Sequence, residues 1–185
     1  MSLRLFRTTG YSTLLYPGET RVATHPAWLV AGVSLWLGLV CNVELWRLAA
    51  GSSSVTLGRA LISGALVAAA SGLVLSLLGW RRTLKLAATL LLFAGAVVAS
   101  GLWVQDLPLE SLWTLPARRL LPAWPNLLGW QLPALLAALG LLPAIWVWQA
   151  QLRRLAGPVQ MRSNMLGMAL CGTVLAAGGV FFPWL

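Results

Sequence analysis

The chain has 185 residues, of which 59% are hydrophobic and 9% charged, and its formal net charge is +9. A soluble domain carries roughly 25% charged residues, so this composition excludes a water-soluble globular domain and indicates an integral membrane protein. The basic residues lie between apolar runs, which favours contacts with lipid phosphates and a role as topology signals over nucleic-acid binding.

Five apolar stretches follow the N-terminal segment, and each is about long enough to cross a bilayer. Residues 1–26 are predicted to form a cytoplasmic or interfacial segment, and residues 27–185 an all-α bundle of five transmembrane helices. The predicted spans cover residues 27–48, 60–78, 84–104, 127–148 and 165–185. Helices are expected because lipid offers the backbone no hydrogen-bond partners and the apolar runs do not alternate. The leader is too long for a cleaved signal, so the first stretch is predicted to be a span.

The basic residues are distributed unequally between the two ends of such a bundle. One side would hold nine of them, namely Arg4, Arg7, Arg21, Arg81, Arg82, Lys85, Arg153, Arg154 and Arg162. The other side would hold four, namely Arg47, Arg59, Arg118 and Arg119. The positive-inside rule therefore predicts a cytoplasmic N-terminus and a C-terminus on the outer side.

The first span carries two polar residues near its predicted outer end, Asn42 and Glu44. Polar groups at such a depth usually face other helices or a cavity. Glu44 lies three residues before Arg47, which predicts an ion pair on one helical face.

Small residues and prolines predict how the other spans pack. Gly64, Ala68 and Gly72 recur at four-residue spacing in the second span and predict a close seam between helices. Pro133 and Pro143 are predicted to kink the fourth span, because proline lacks an N–H and clashes with the preceding turn.

The inventory of reactive side chains is small. The chain has one His, two Cys and four acids, and they are scattered along the sequence. A catalytic zinc site needs three protein ligands, so no metal site and no catalytic residue is predicted within these residues. Cys41 and Cys171 are predicted to be small apolar packing residues.

The outer loop between the third and fourth spans, residues 105–126, contains four prolines and cannot form one continuous helix. Trp113 and Trp124 favour a position in the membrane interface. Arg118 and Arg119 either anchor the loop at the interface or bind lipid phosphates, for which guanidinium is well suited. Both roles remain open for this pair.

With the spans assigned, the order of several short motifs resembles a known family. The run from Gly79 to Ser100 is similar to the junction of the second and third spans in bacterial phosphoethanolamine–lipid A transferases, the polymyxin-resistance family. Asn42 is similar to an Asn that the family often has at the end of its first span. Leu142-Pro143, and Met161-Arg162 leading to Leu166-Gly167, also fit its pattern. The resemblance covers residues 26–185.

The resemblance implies a location in the bacterial inner membrane and a role as membrane anchor and lipid-access domain. In the family, a periplasmic domain after the fifth span carries a Thr nucleophile and zinc ligands. That domain has no counterpart in residues 1–185, so the chain alone is expected to be inactive, as a truncated or split form, with zinc held elsewhere. The candidate contacts to lipid or substrate are Asn42, Asp106, Glu110, Arg118 and Arg119. The expected partners are membrane phospholipids, together with lipid A or a separately encoded catalytic domain.

A second hypothesis from a different class also fits the sequence. The outer loop has Asp106 and Glu110, but otherwise carries Pro, Trp and Arg where the family has a polar run. This difference favours a small non-enzymatic inner-membrane protein that scaffolds a partner. A transporter is a weaker alternative, because no charged residue is predicted at the middle of a span.

Overall fold

The computed structural model describes residues 24–51, 56–107, 111, 116, 130–153 and 155–181. Within these ranges all the regular elements are helical. An isolated bridge joins Thr24, just before the helix that begins at Pro26, to Leu152, just after the helix that ends at Gln149.

Six helices are numbered here in chain order. Helix α1 covers Pro26–Leu35 and continues as a π-helical turn, Trp36–Val40; α2 covers Val43–Ala49, α3 Leu57–Leu77 and α4 Arg81–Val104. Helix α5 runs over Gln131–Gln149 and contains a second π-helical turn, Ala137–Leu141, and α6 covers Gly157–Phe181.

The described part of the chain supplies several helices that fit a bilayer. Helices α3, α4 and α5 are long and apolar enough to cross a membrane, and α1 with α2 makes a fourth if this bent pair is one span. An all-helical membrane protein, as predicted, is therefore consistent with the fold. The ends of α3 and α4 lie within three residues of the predicted spans, whereas residues 127–129 and 182–185 lie outside the described ranges.

The first predicted span is not one continuous helix. Helices α1 and α2 meet at an angle of 49° around Cys41 and Asn42. Asn42 has an extended backbone, and its side chain accepts a hydrogen bond from the N–H of Glu44, so it caps α2. A side chain that bonds its own backbone competes with helix continuation, which is why the apolar run breaks here.

The predicted seam on α3 is confirmed, and its partner is α1. A Cβ atom placed on Gly64 would meet the carbonyl oxygen of Gly38, and one on Gly38 would lie 2.7 Å from the Cβ of Ala68. Farther along, a Cβ on Gly72 would lie 2.8 Å from the sulfur of Cys171 on α6 and 3.1 Å from the hydroxyl oxygen of Ser34 on α1. Small residues thus let two antiparallel backbones approach closely, as they do in many membrane bundles.

Helix α6 packs along another side of α3 and begins earlier than the predicted fifth span. A Cβ on Gly167 would lie 2.6 Å from the Ser76 hydroxyl oxygen, and one on Gly79 would lie 2.7 Å from the Asn164 amide. The Gln160 amide donates to the Gly79 carbonyl at 2.9 Å. The helix thus includes polar residues before Met165, and Gln160 among them bonds both to the turn after α3 and to the Asn164 side chain at 2.9 Å.

Helix α5 carries its two prolines without a break in the helix. Pro143 has no N–H, so the carbonyl of Leu139 lacks the donor that an α-helix would supply four residues later. A π-helical turn lies at this point, and the indole N–H of Trp36 donates to the Leu139 carbonyl at 3.1 Å. The proline at residue 143 is thus accommodated by a widened turn whose free carbonyl is bonded from α1, in line with the ways in which freed backbone groups are satisfied in membranes.

We expect Trp36→Phe to lower the free energy of unfolding by about 0.5–2 kcal/mol, because hydrogen bonds between membrane helices contribute on this scale. Unfolding in mixed micelles followed by circular dichroism measures the change. In a Pro143→Ala background, the new N–H at residue 143 supplies a local donor, so Trp36→Phe should have a smaller effect. Equal effects in the two backgrounds would contradict this account of the π-helical turn.

Candidate functional site

The polar groups buried at the outer end of the predicted bundle gather around the break between α1 and α2. Asn42 is 3% exposed and bonds in two directions. Its side-chain oxygen accepts from the N–H of Glu44 at 3.0 Å, and its amide nitrogen donates to the carbonyl of Ala60 on α3 at 2.8 Å. Asn42 therefore caps α2 and joins it to α3.

Glu44 is a buried carboxylate beside this cap, 6% exposed. The hydroxyl group of Ser63 lies 3.1 Å from one carboxylate oxygen of Glu44 and 2.9 Å from the carbonyl oxygen of Ala60. Glu44 also lies in the first turn of α2, where the helix dipole favours negative charge. The acid is thus stabilised by α2 and α3.

The sequence predicted an ion pair between Glu44 and Arg47, and this prediction is wrong. Arg47 instead pairs with Asp106, at 3.0 Å between Nη2 and Oδ1, and the same nitrogen donates to the Leu102 carbonyl at 3.1 Å. The reason is the position of α4, whose C-terminal end lies beside α2. Arg47 therefore ties α2 to the end of α4, a contact that spans 59 residues of sequence.

The C-terminal turn of α4 positions Asp106 beside Arg47. The N–H of Leu107 donates to the Leu102 carbonyl at 3.0 Å, and the N–H of Asp106 to the Trp103 carbonyl at 3.3 Å. This pattern is the Schellman motif, in which the residue after the helix adopts a left-handed conformation. Asp106 does so, with φ of 53°.

Two aromatic rings strengthen the same junction. Trp46 on α2 and Trp103 on α4 meet edge to face, with their ring centroids 5.8 Å apart. Such pairs contribute about 0.5–1.5 kcal/mol beyond the burial of their area. Together with Arg47, they hold the short helix α2 against α4.

The candidate residues named from the sequence divide into two groups. Asn42 and Asp106 both belong to this outer cluster, which we define as Asn42, Glu44, Arg47, Ser63 and Asp106. The other three candidates, Glu110, Arg118 and Arg119, lie outside the described residues.

Sequence reasoning did not single out Ser63 as a site residue. Its partner Glu44 is 19 residues away, and α3 has several serines of similar context. The sequence nevertheless contained a clue to this contact. Ser63 lies one turn from the predicted outer end of the second span, and Glu44 lies near the outer end of the first span, so the two residues are expected at a similar depth.

The cluster offers oxygen acceptors, one guanidinium and an exposed carboxylate near the ends of α2 and α4. Asp106 is 93% exposed, whereas the Arg47 side chain is 12% exposed. Within the described residues, no group of three or more His, Cys, Asp and Glu side chains is arranged to hold a metal ion. What the arrangement can do is bind a polar or zwitterionic group at its exposed edge. Comparisons with protein-family models, characterised proteins and solved structures gave no match.

The Asp106 position allows charge and backbone conformation to be tested separately. Asp106→Asn removes the charge but keeps a residue that tolerates positive φ, so it should lower stability by less than about 1 kcal/mol. Asp106→Ala loses the charge and also strains the backbone, which adds about 1–2 kcal/mol. Thermal melting of the two variants in one detergent measures the difference. Equal melting temperatures would argue against strain at this residue.

Proposed function

We propose that the protein is a five-span inner-membrane protein with a cytoplasmic N-terminus, whose outer end holds phospholipid headgroups for a transferase reaction. In this proposal α1 with α2 is the first span and α6 the last. The resemblance to phosphoethanolamine–lipid A transferases gives the reaction class, and the catalytic nucleophile and zinc belong to a periplasmic domain outside residues 1–185.

The arrangement of helix ends supports the proposed topology. Thr24, before α1, pairs with the segment after α5, and Gly79, before α4, bonds with Gln160 at the start of α6. Lys85 near the start of α4 also bonds to Trp148 at the end of α5, so these segments lie at one end of the bundle. Of the seven basic residues in the described part of the chain, this end holds five, namely Arg81, Arg82, Lys85, Arg153 and Arg162. The positive-inside rule makes this the cytoplasmic end.

The topology has a direct test. Alkaline phosphatase, which is active only in the periplasm, should be active when fused after Gly51 and inactive when fused after Gly79. The reverse pattern would overturn the proposed orientation.

The observation that carries the proposed function is the outer cluster around the break in the first span. Irregular backbone at membrane depth is tolerated where it is buried in protein or lines a cavity, and such breaks commonly mark binding sites. Asp106 offers a carboxylate for an ammonium group, and Arg47 lies beside it as a phosphate partner. A zwitterionic phospholipid headgroup matches this pair in charge.

A fusion enzyme tests the function. Residues 1–185 are joined to the periplasmic catalytic domain of a phosphoethanolamine transferase and expressed in a polymyxin-sensitive strain, and lipid A is analysed by mass spectrometry. We expect phosphoethanolamine addition by the fusion and none by residues 1–185 alone. Asp106→Asn should reduce the modified fraction while the protein level in the membrane stays constant.

The control is the same catalytic domain attached to one unrelated membrane helix. If the control modifies the same fraction of lipid A as the fusion does, the proposed lipid-access role is wrong.

A second function, a scaffold for a partner protein, is favoured by one observation. Arg47 pairs with Asp106, and Glu44 with Ser63, so much of the polar chemistry of the cluster is satisfied within the bundle. A scaffold needs the fold and not an open headgroup site. A scaffold would therefore tolerate Asp106→Asn. Disruption of α2 would abolish binding of the partner protein rather than binding of a lipid.

A further inference from the structure

A second polar site lies at the opposite end of the bundle, where α4 begins and α5 ends. The indole N–H of Trp148 donates to the Thr89 hydroxyl oxygen at 3.1 Å, which fixes the ring against α4. The Lys85 ammonium donates to the backbone carbonyl of Trp148 at 3.1 Å and lies 5.9 Å from the centre of its ring. Lys85 is thus held at the end of α5 by a carbonyl and an aromatic ring.

Arg153 follows α5 at the same end. Its backbone N–H donates to the carbonyl of Thr24 at 3.0 Å, which fixes the position of the residue, and its side chain is exposed. We call Lys85, Trp148 and Arg153 the basic notch.

Among the described residues, the basic notch has no acidic counterpart. The four acids of the chain are Glu19, Glu44, Asp106 and Glu110, of which Glu19 and Glu110 lie outside the described residues. The other two, Glu44 and Asp106, lie in the outer cluster at the far end of the bundle. Within the part of the chain that the structure describes, the notch thus carries positive charge with no carboxylate beside it, and an anionic ligand would supply the opposite charge.

An apolar surface continues from the notch toward the middle of the bundle. Leu86, Leu90 and Phe93 are exposed on α4 at spacings of four and three residues, which places them on one face. On α5, Ile145 is exposed one turn before Trp148. Phe93 also reaches α5, because a Cβ on Gly140 would lie 3.2 Å from its ring. The surface along α4 and α5 is therefore basic at the notch and apolar over the turns that follow it.

We infer that the basic notch binds the headgroup of an anionic phospholipid, whose acyl chain lies along the exposed apolar face of α4. The Lys85 ammonium and the Arg153 guanidinium contact the phosphate, and Trp148 lies at the depth of the glycerol. Basic sites between helices at the cytoplasmic side of membrane proteins are suited to such lipids. A free anion would match the charges but would make no use of the apolar face that adjoins them.

The site is independent of the outer cluster and of the proposed transferase role. Only its assignment to the inner leaflet depends on the proposed topology. Binding can therefore be measured on purified protein, without activity and without a membrane potential.

The test is native mass spectrometry of the purified full chain, delipidated in detergent and titrated with phosphatidylglycerol or phosphatidylcholine. We expect one bound phosphatidylglycerol at concentrations where phosphatidylcholine does not bind. Arg153→Gln should weaken this binding about fivefold, and Lys85→Gln should weaken it by a similar factor, which is the scale expected for one basic residue at a membrane surface. Lys85→Arg keeps the charge and should bind as the wild type does.

Arg162→Gln is the matched control, because Arg162 is an exposed Arg at the same end of the bundle but lies on α6, away from α5. It should leave phosphatidylglycerol binding unchanged. Equal binding of the two lipids, or an equal loss in Arg153→Gln and Arg162→Gln, would overturn the inference. Arg153→Gln keeps the test decisive even if Lys85→Gln does not fold, because the Arg153 side chain is exposed.

Discussion

Gly64→Ala is expected to lower the free energy of unfolding by about 1–3 kcal/mol, the range for overpacking a close-packed interior. The new methyl group would meet the carbonyl oxygen of Gly38 and would lie 2.9 Å from the amide nitrogen of Asn42. The carbonyl belongs to the backbone of α1, so relief requires the two helices to separate. Separation would also stretch the bond from Asn42 to Ala60. Equilibrium unfolding in mixed micelles, followed by circular dichroism, measures the change.

Gly58→Ala is the matched control on the same helix. A Cβ atom on Gly58 has no atom within 4 Å, so the substitution tests the removal of a glycine from α3 without a clash. We expect a change within about 0.5 kcal/mol, as for most surface substitutions. Similar losses in both variants would show that the seam between Gly38 and Gly64 does not limit the approach of α1 and α3.

The parts of the fold that the sequence could predict are those set by local composition. Helices α3 and α4 follow from unbroken apolar runs with polar residues at both ends, and the seam on α3 follows from the spacing of Gly64, Ala68 and Gly72. In a bilayer, an apolar run of about 20 residues has few alternatives to a helix. For these elements, composition and spacing carry enough information.

The parts that could not be predicted depend on contacts between distant residues. The sequence places Glu44 one turn from Arg47, but the choice of Asp106 depends on where α4 ends and on its left-handed terminal residue. The break at Asn42 depends on Ala60 as an acceptor for the side-chain amide. In the same way, the π-helical turn in α5 depends on Trp36, which is 103 residues from Leu139. Local periodicity does not contain such pairings.

Asn42→Ala is expected to have the second large effect, because it removes two bonds at the break in the first span. The loss of a helix cap lowers stability by about 0.5–2 kcal/mol, and the loss of a bond between membrane helices by about 0.6–1.7 kcal/mol. The two losses share one side chain, so we expect a combined loss of about 2 kcal/mol, measured by the same unfolding experiment.

Asn42→Ser separates the two contributions. Serine caps a helix about as well as asparagine, so it should preserve the bond to the N–H of Glu44. Its shorter side chain does not extend to the Ala60 carbonyl, so the link to α3 is lost. We therefore expect Asn42→Ser to lie between the wild type and Asn42→Ala in stability. If Asn42→Ser is as unstable as Asn42→Ala, the cap contributes nothing and the link to α3 alone holds the break. If Asn42→Ser is as stable as the wild type, the bent span is instead fixed by the local cap, and α2 keeps its position without α3.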